Sequence, residues 1–151
     1  MLKTQRAPIG SRVNGAIFAD GVTVAVGGLL QRESGFANHW DEAGTLLGVC
    51  VGGDSRDNTG TLLGESSDNA PPRAHYREGA VICHVACANS PGASGLLVYS
   101  ADSDPASFTS LDTTNPPVGY IKEYRTDSDL DVQLFTEAAF RAGIADGTWN
   151  V

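Results

Sequence analysis

"VGYIKEYRTDSDLDVQLF", residues 118–135, is the stretch whose reading decides the fold. In its second half Leu130, Val132 and Leu134 alternate with Asp131 and Gln133. That period of two is the mark of a strand with one buried face. "PVGYIKEY" before it and "LDVQLF" within it flank the turn-like "RTDSD". The pair predicts an antiparallel hairpin with the three aliphatic residues inward and Asp131 and Gln133 outward.

The same signal recurs upstream. "GAVICHVAC" (79–87) and "GLLVYS" (95–100) are short apolar runs bounded by turn formers, as is "LLGVCVGG" (46–53), where Leu47, Val49 and Val51 share one face of an extended segment. In "GAIFADGVTVAVGGLL" (15–30), Val22, Val24 and Val26 alternate with Thr23 and Ala25, and Gly27 and Gly28 invite a bend. "TEAAFRAG" (136–143) predicts a short helix, capped by Thr136 and stopped by Gly143. Two polar stretches, residues 54–79 and 100–117, read as long loops that a partner would order. The expected architecture is all-β: a small β-sandwich or barrel-like domain over residues 13–151, with long loops and a short C-terminal helix, preceded by an arm at residues 1–12.

At 151 residues the chain fits one domain with a core of its own. Its net charge of −8 disfavours nucleic acid and anionic membranes as partners. No run reaches the roughly 18 apolar residues of a spanning helix, and "MLKTQRAPIGSR" lacks the apolar stretch of a signal peptide. Synthesis in the cytoplasm is expected, and the odd set Cys50, Cys83 and Cys87 agrees with a reducing compartment.

Four chemistries match parts of these patterns. "GDS" at 53–55 opens a serine-hydrolase signature, with His39 as base and Asp41, Asp54 or Asp57 as orienting acid. The residues after Ser55 are Arg-Asp-Asn, however, so the glycines of an oxyanion hole are missing, and no G-x-S-x-G elbow exists. Turn formers explain the segment better. Cys83, His84 and Cys87 are zinc-binding types, but on a strand the two sulfurs would stand about 13 Å apart with His84 on the opposite face. Buried structural cysteines are the simpler reading. "DSRDNTG" places Arg56 where a calcium loop needs a ligand. Trp40 and Tyr76 would offer a sugar-binding platform if exposed, and core filler if not. No catalytic residue, metal or cofactor is therefore expected.

Taken together, "LKTQRA", "GVTVAVGGLL", "LLGVCVGG" with the polar loop after it, and "NPPVGYIKEY…LDVQLF" resemble the head decoration, or cement, proteins of tailed bacteriophages. The resemblance rests on strand order, the terminal hairpin and acidic composition. It implies a non-enzymatic virion protein on the capsid exterior that clamps neighbouring major capsid subunits, as a homotrimer or, alternatively, a dimer. A carbohydrate- or ligand-binding β-sandwich is the competing expectation. Independently, "MLKTQRAPIGSR" suits an extended arm that adds to a sheet edge, since Pro8 blocks helix, Ile9 can fill a pocket, and Lys3, Arg6 and Arg12 oppose the acidic remainder. These five residues are the expected capsid contacts.

Overall fold

Thirteen strands and one helix follow one another along the described parts of this computed structural model: residues 4–6, 13–17, 23–53, 61–63, 73–104, 108–112 and 114–145. In chain order they are β1 (Thr4–Arg6), β2 (Val13–Ile17), β3 (Thr23–Ala25), β4 (Leu29–Glu33), β5 (Phe36–His39), β6 (Thr45–Gly53), β7 (Thr61–Leu63), β8 (Arg73–Arg77), β9 (Val81–Val85), β10 (Leu97–Ser100), β11 (Phe108–Thr109), β12 (Gly119–Thr126), β13 (Asp129–Leu134) and α1 (Glu137–Ala145). A six-stranded antiparallel sheet has the order β1-β9-β13-β12-β10-β11, and a five-stranded one the order β2-β8-β6-β4-β5. A third, small sheet pairs β3 with β7. The all-β expectation holds.

The expected terminal hairpin is present, with Thr126 paired to Asp129 across a two-residue turn. Leu130, Val132 and Leu134 are buried together with Ile82, Val85, Val98, Phe108 and Ile121 of the same sheet. Leu29, Leu46 and Val49 of the five-stranded sheet complete that core. One face of each sheet therefore packs on the other, as in a sandwich. The reverse face of the five-stranded sheet curls around a second core of Leu30, Ala37, Leu47, Cys50, Ala74 and Tyr76, closed by Val24 of β3.

β6 serves both cores, and a bulge makes this possible. Leu30 pairs with Gly48 and Gln31 with Leu46, so Leu47 has no counterpart on β4. One extra residue reverses the alternation. Leu46 and Val49 consequently face the inter-sheet core, whereas Leu47 and Cys50 face the other. The single stripe of Leu47, Val49 and Val51 expected from the sequence is thus corrected: Leu47 and Val49 point to opposite sides, and Val51 is itself the extra residue between the Cys50–Tyr76 and Gly52–His75 pairs. Gly48 allows the close approach, because a Cβ there would lie 2.3 Å from the Arg77 carbonyl oxygen.

Other expectations meet similar corrections. The polar stretch 54–79 contains β8, an interior strand whose Ala74 and Tyr76 are buried while the arginines and His75 take the other face. The hairpin of β4 and β5 turns at Ser34 and Gly35, both at positive φ (51° and 83°), as a primed two-residue turn requires. Gly27, at φ 93°, makes the expected bend, and its N–H reaches the Cys50 carbonyl at 2.7 Å. In α1, Thr136 Oγ1 caps the Ala139 N–H at 3.1 Å as expected. The helix does not stop at Gly143, which is buried inside it. Its Phe140 stands edge-on to Trp40, with ring centroids 5.8 Å apart, and so locks the helix onto the core.

Candidate functional site

The outward face of the six-stranded sheet carries what the interior does not use. Residues directly opposite in a ladder share a face, so Leu97, Tyr120 and Gln133 line up across β10, β12 and β13, with Tyr99 beside Thr109 on β10 and β11. Their chain neighbours Val98, Ile121, Val132 and Leu134 are all in the core. Leu97, Tyr99 and Tyr120 are half-buried, and Leu111, just past β11, is 65% exposed. The Phe135 ring leans over Tyr120 with centroids 6.2 Å apart. Leu97 and Tyr99 of β10 and Tyr120 of β12 thus form an apolar band over two adjacent strands, extended by Phe135 just past the end of β13. Burial raises the Tyr99 hydroxyl above its ordinary pKa, with the Asp112 charge adding to it.

Toward the hairpin tip the same face becomes ionic. Of the three bulges that flank β13, two bear on this face: Arg125 is the extra residue of β12, between the Tyr124–Leu130 and Thr126–Asp129 pairs. On β9, Cys83 and His84 together oppose Asp131. Bulges of this kind re-aim side chains, and these two aim at the same pair of carboxylates. Arg125 Nη2 donates to Asp131 Oδ1 at 2.7 Å and to Asp129 Oδ1 at 3.0 Å. His84 Nδ1 lies 2.8 Å from Asp129 Oδ1, and the His84 backbone N–H donates to Asp131 Oδ1 at 3.1 Å. That second bond ties down His84 at φ 56°, a left-handed conformation costly for a residue with a side chain.

The electrostatics follow from this geometry. Bonds from Arg125 and then His84 hold the Asp129 carboxyl down at about 2, and Arg125 likewise lowers Asp131. The two carboxylates raise the Arg125 guanidinium in return. Asp131 does point outward as its alternation predicts, yet it is not solvated, being only 6% exposed beneath Arg125.

The candidates read from the sequence fare differently. Trp40 and Tyr76 are buried at 0% and 4% exposure, and Trp40 Nε1 donates to the Ser100 carbonyl at 2.7 Å. Neither can form a sugar platform. His39 is exposed on β5, while the Asp41 carboxylate is engaged by Gln31 Nε2 at 2.8 Å and the Ala43 N–H at 3.0 Å. Ser55, Asp54 and Asp57 lie outside the described residues, as do Lys3, Pro8, Ile9 and Arg12. Arg6 closes β1, where it pairs with Val81.

No family model, curated protein or solved structure matches the chain.

Cys50, Cys83 and Cys87 are buried and in no disulfide, and burial followed by the Asp127 charge pushes the Cys87 thiol up to about 11. Among the described residues no group of three or more His, Cys, Asp or Glu is placed to hold a metal ion, and no helix is long and apolar enough to cross a membrane. This face combines an apolar band with a charged network centred on Arg125, whose buried Nε has no hydrogen-bond partner.

Proposed function

We propose that this chain is a non-enzymatic capsid decoration protein, which binds the exterior of an assembled phage shell and cements neighbouring major capsid subunits as a homotrimer. The observation that carries the reading is the apolar band of Leu97, Tyr99, Tyr120 and Phe135 on the outer face of the six-stranded sheet. A sheet backed by a packed core presents such a band rigidly, so little ordering entropy opposes its burial against a partner. Each copy needs only a modest contact, because linking several in one oligomer raises avidity by roughly 10²- to 10⁴-fold. The basic segment 1–12 supports the same reading by supplying three cations and no acid in a chain of net charge −8.

The experiment is co-sedimentation with purified shells assembled without the protein. Wild type pellets with the shells in saturable, stoichiometric amount, and Leu97→Asp, which places a charge in the band without entering the core, loses at least ten-fold in affinity. Saturable binding that Leu97→Asp leaves unchanged would assign the contact to another face. Absence of binding by the folded wild type would end the proposal.

A further inference from the structure

We infer that the shelf formed by β8 and β2 is a seat for an extended acidic segment of a partner protein, one that carries carboxylates at alternate positions. Residues directly opposite in a ladder share a face. Val13, Gly15 and Ile17 of β2 stand opposite Arg77, His75 and Arg73 of β8, and Arg77 in turn stands opposite Val49 of β6. Val49 belongs to the inter-sheet core, so the six residues continue the inner face of the five-stranded sheet. The six-stranded sheet does not cover them. Val13 is 48% exposed, Gly15 and Arg73 are exposed, and Ile17, His75 and Arg77 are half-buried.

The charge of this shelf runs against that of the chain, which has 18 acids to ten lysines and arginines. Other arginines are held by carboxylates of the chain itself: Arg32 and Arg141 by Glu137, Arg125 by Asp129 and Asp131. Arg77, half-buried on β8, pairs with no carboxylate among the described residues. Its guanidinium keeps a two-pronged donor for an incoming one. Gly15 provides a second point of attachment. A Cβ there would lie 3.6 Å from Arg73 Nη1 and 3.8 Å from His75 Cδ2, so a guanidinium and an imidazole converge over a position without a side chain. Both groups have a further interaction within the chain, but the five N–H donors of an arginine serve more than one acceptor. Spacing then fixes the form of the partner. Alternate residues of a strand are about 6.6 to 6.8 Å apart, so Arg73, His75 and Arg77 make a row at that interval. An extended segment with an acid at every second residue meets the row in register, whereas contiguous acids turn half their charges away. Val13 and Ile17 flank the row and receive the aliphatic parts of the segment. The inference needs no shell, and it stands or falls apart from the capsid reading.

The probe is a fluorescein-labelled peptide of alternating glutamate and threonine, with a control peptide of the same composition whose glutamates are contiguous. Fluorescence anisotropy reads binding to the full chain. Wild type is expected to bind the alternating peptide saturably and the contiguous one about ten-fold more weakly. Arg77→Gln removes the fork, and Gly15→Asp fills the gap with a carboxylate of the chain's own. Each is expected to weaken the alternating peptide about ten-fold. The added Cβ of Gly15→Asp meets its neighbours at ordinary contact distances, and an unchanged melting temperature checks that the variant folds. Binding is also expected to fade with salt, as the screening length falls from about 10 Å at 0.1 M to about 3 Å at 1 M. Equal binding of the two peptides, or binding that both variants leave unchanged, would overturn the inference. So would the absence of saturable binding by folded wild type. Self-association of wild type that Arg77→Gln abolishes would overturn it too, since the occupant would then be a second copy.

Discussion

Arg125 Nη2 sits 2.7 Å from Asp131 Oδ1, and this contact is what allows an aspartate to be buried on the outer face of a sheet. The same carboxylate accepts the His84 N–H, so it neutralises the bulged arginine of β12 and pins the bulged histidine of β9 at once. Removing it by Asp131→Ala leaves both groups short of a partner. The expected loss is about 2 kcal/mol of unfolding free energy, in the range for hydrogen bonds to charged groups. Urea denaturation measures it, and an effect below a few tenths of a kcal/mol would show that the network is ornamental.

Acid stability is set in part by Asp129. Its carboxyl is held at about 2 when folded, against an ordinary value of about 3.9 unfolded. Because the folded value is the lower one, the stabilisation is complete above about pH 4 and is lost as the pH falls through about 2. Asp129→Asn should therefore be less stable than wild type at pH 6 and converge with it near pH 2. Parallel stability curves for the two proteins between those limits would contradict the assignment.

Gly48 tests the double-sided reading of β6. A Cβ at this position meets the Arg77 carbonyl oxygen at 2.3 Å, and backbone cannot step aside as a side chain can. Gly48→Ala is expected to cost about 3 kcal/mol, at the severe end for overpacking. Gly35, whose Cβ would meet nothing within 4 Å, serves as the control, although its φ of +83° adds a smaller penalty of its own. If both variants melt together, the close approach of β6 to β8 is not the constraint described.

The thiols give a fourth check. Cys87 is pushed up to about 11 by burial, and all three cysteines are buried. A thiol with that value is almost wholly protonated at pH 8 and reacts slowly. Ellman titration of the native protein at pH 8 should show little reaction within minutes, with three thiols released on adding denaturant. Rapid native reaction at Cys87 would refute its burial.

Where alternation is regular the sequence discloses the fold: Leu130, Val132 and Leu134 lie inward as their spacing says, and Thr136 caps the helix. Where a bulge intervenes, it does not. The extra residues at Leu47, His84 and Arg125 shift the period by one, and no local residue type announces them. β8 escaped notice for a different reason, since "RAHYR" shows its inward pair Ala74 and Tyr76 between residues that look like loop. The outer-face site was half legible. Asp131 stands on the expected strand, but Arg125 and Asp129 fall in the stretch that reads as the turn, and only the pairing of β12 with β13 shows the cross-strand charge pattern. The apolar band could not be read so directly, because Leu97, Tyr99 and Tyr120 resemble core residues until the pairing of β10 with β12 shows which face is already taken.

The central proposal concerns reinforcement of a shell, and the most direct measurement is the melting temperature of purified shells lacking the protein, recorded by calorimetry before and after the folded chain is added to saturation. Wild type is expected to raise the shell transition by several degrees, a rise absent when Leu97→Asp is added at the same concentration. A shell transition that wild type leaves unmoved would contradict it.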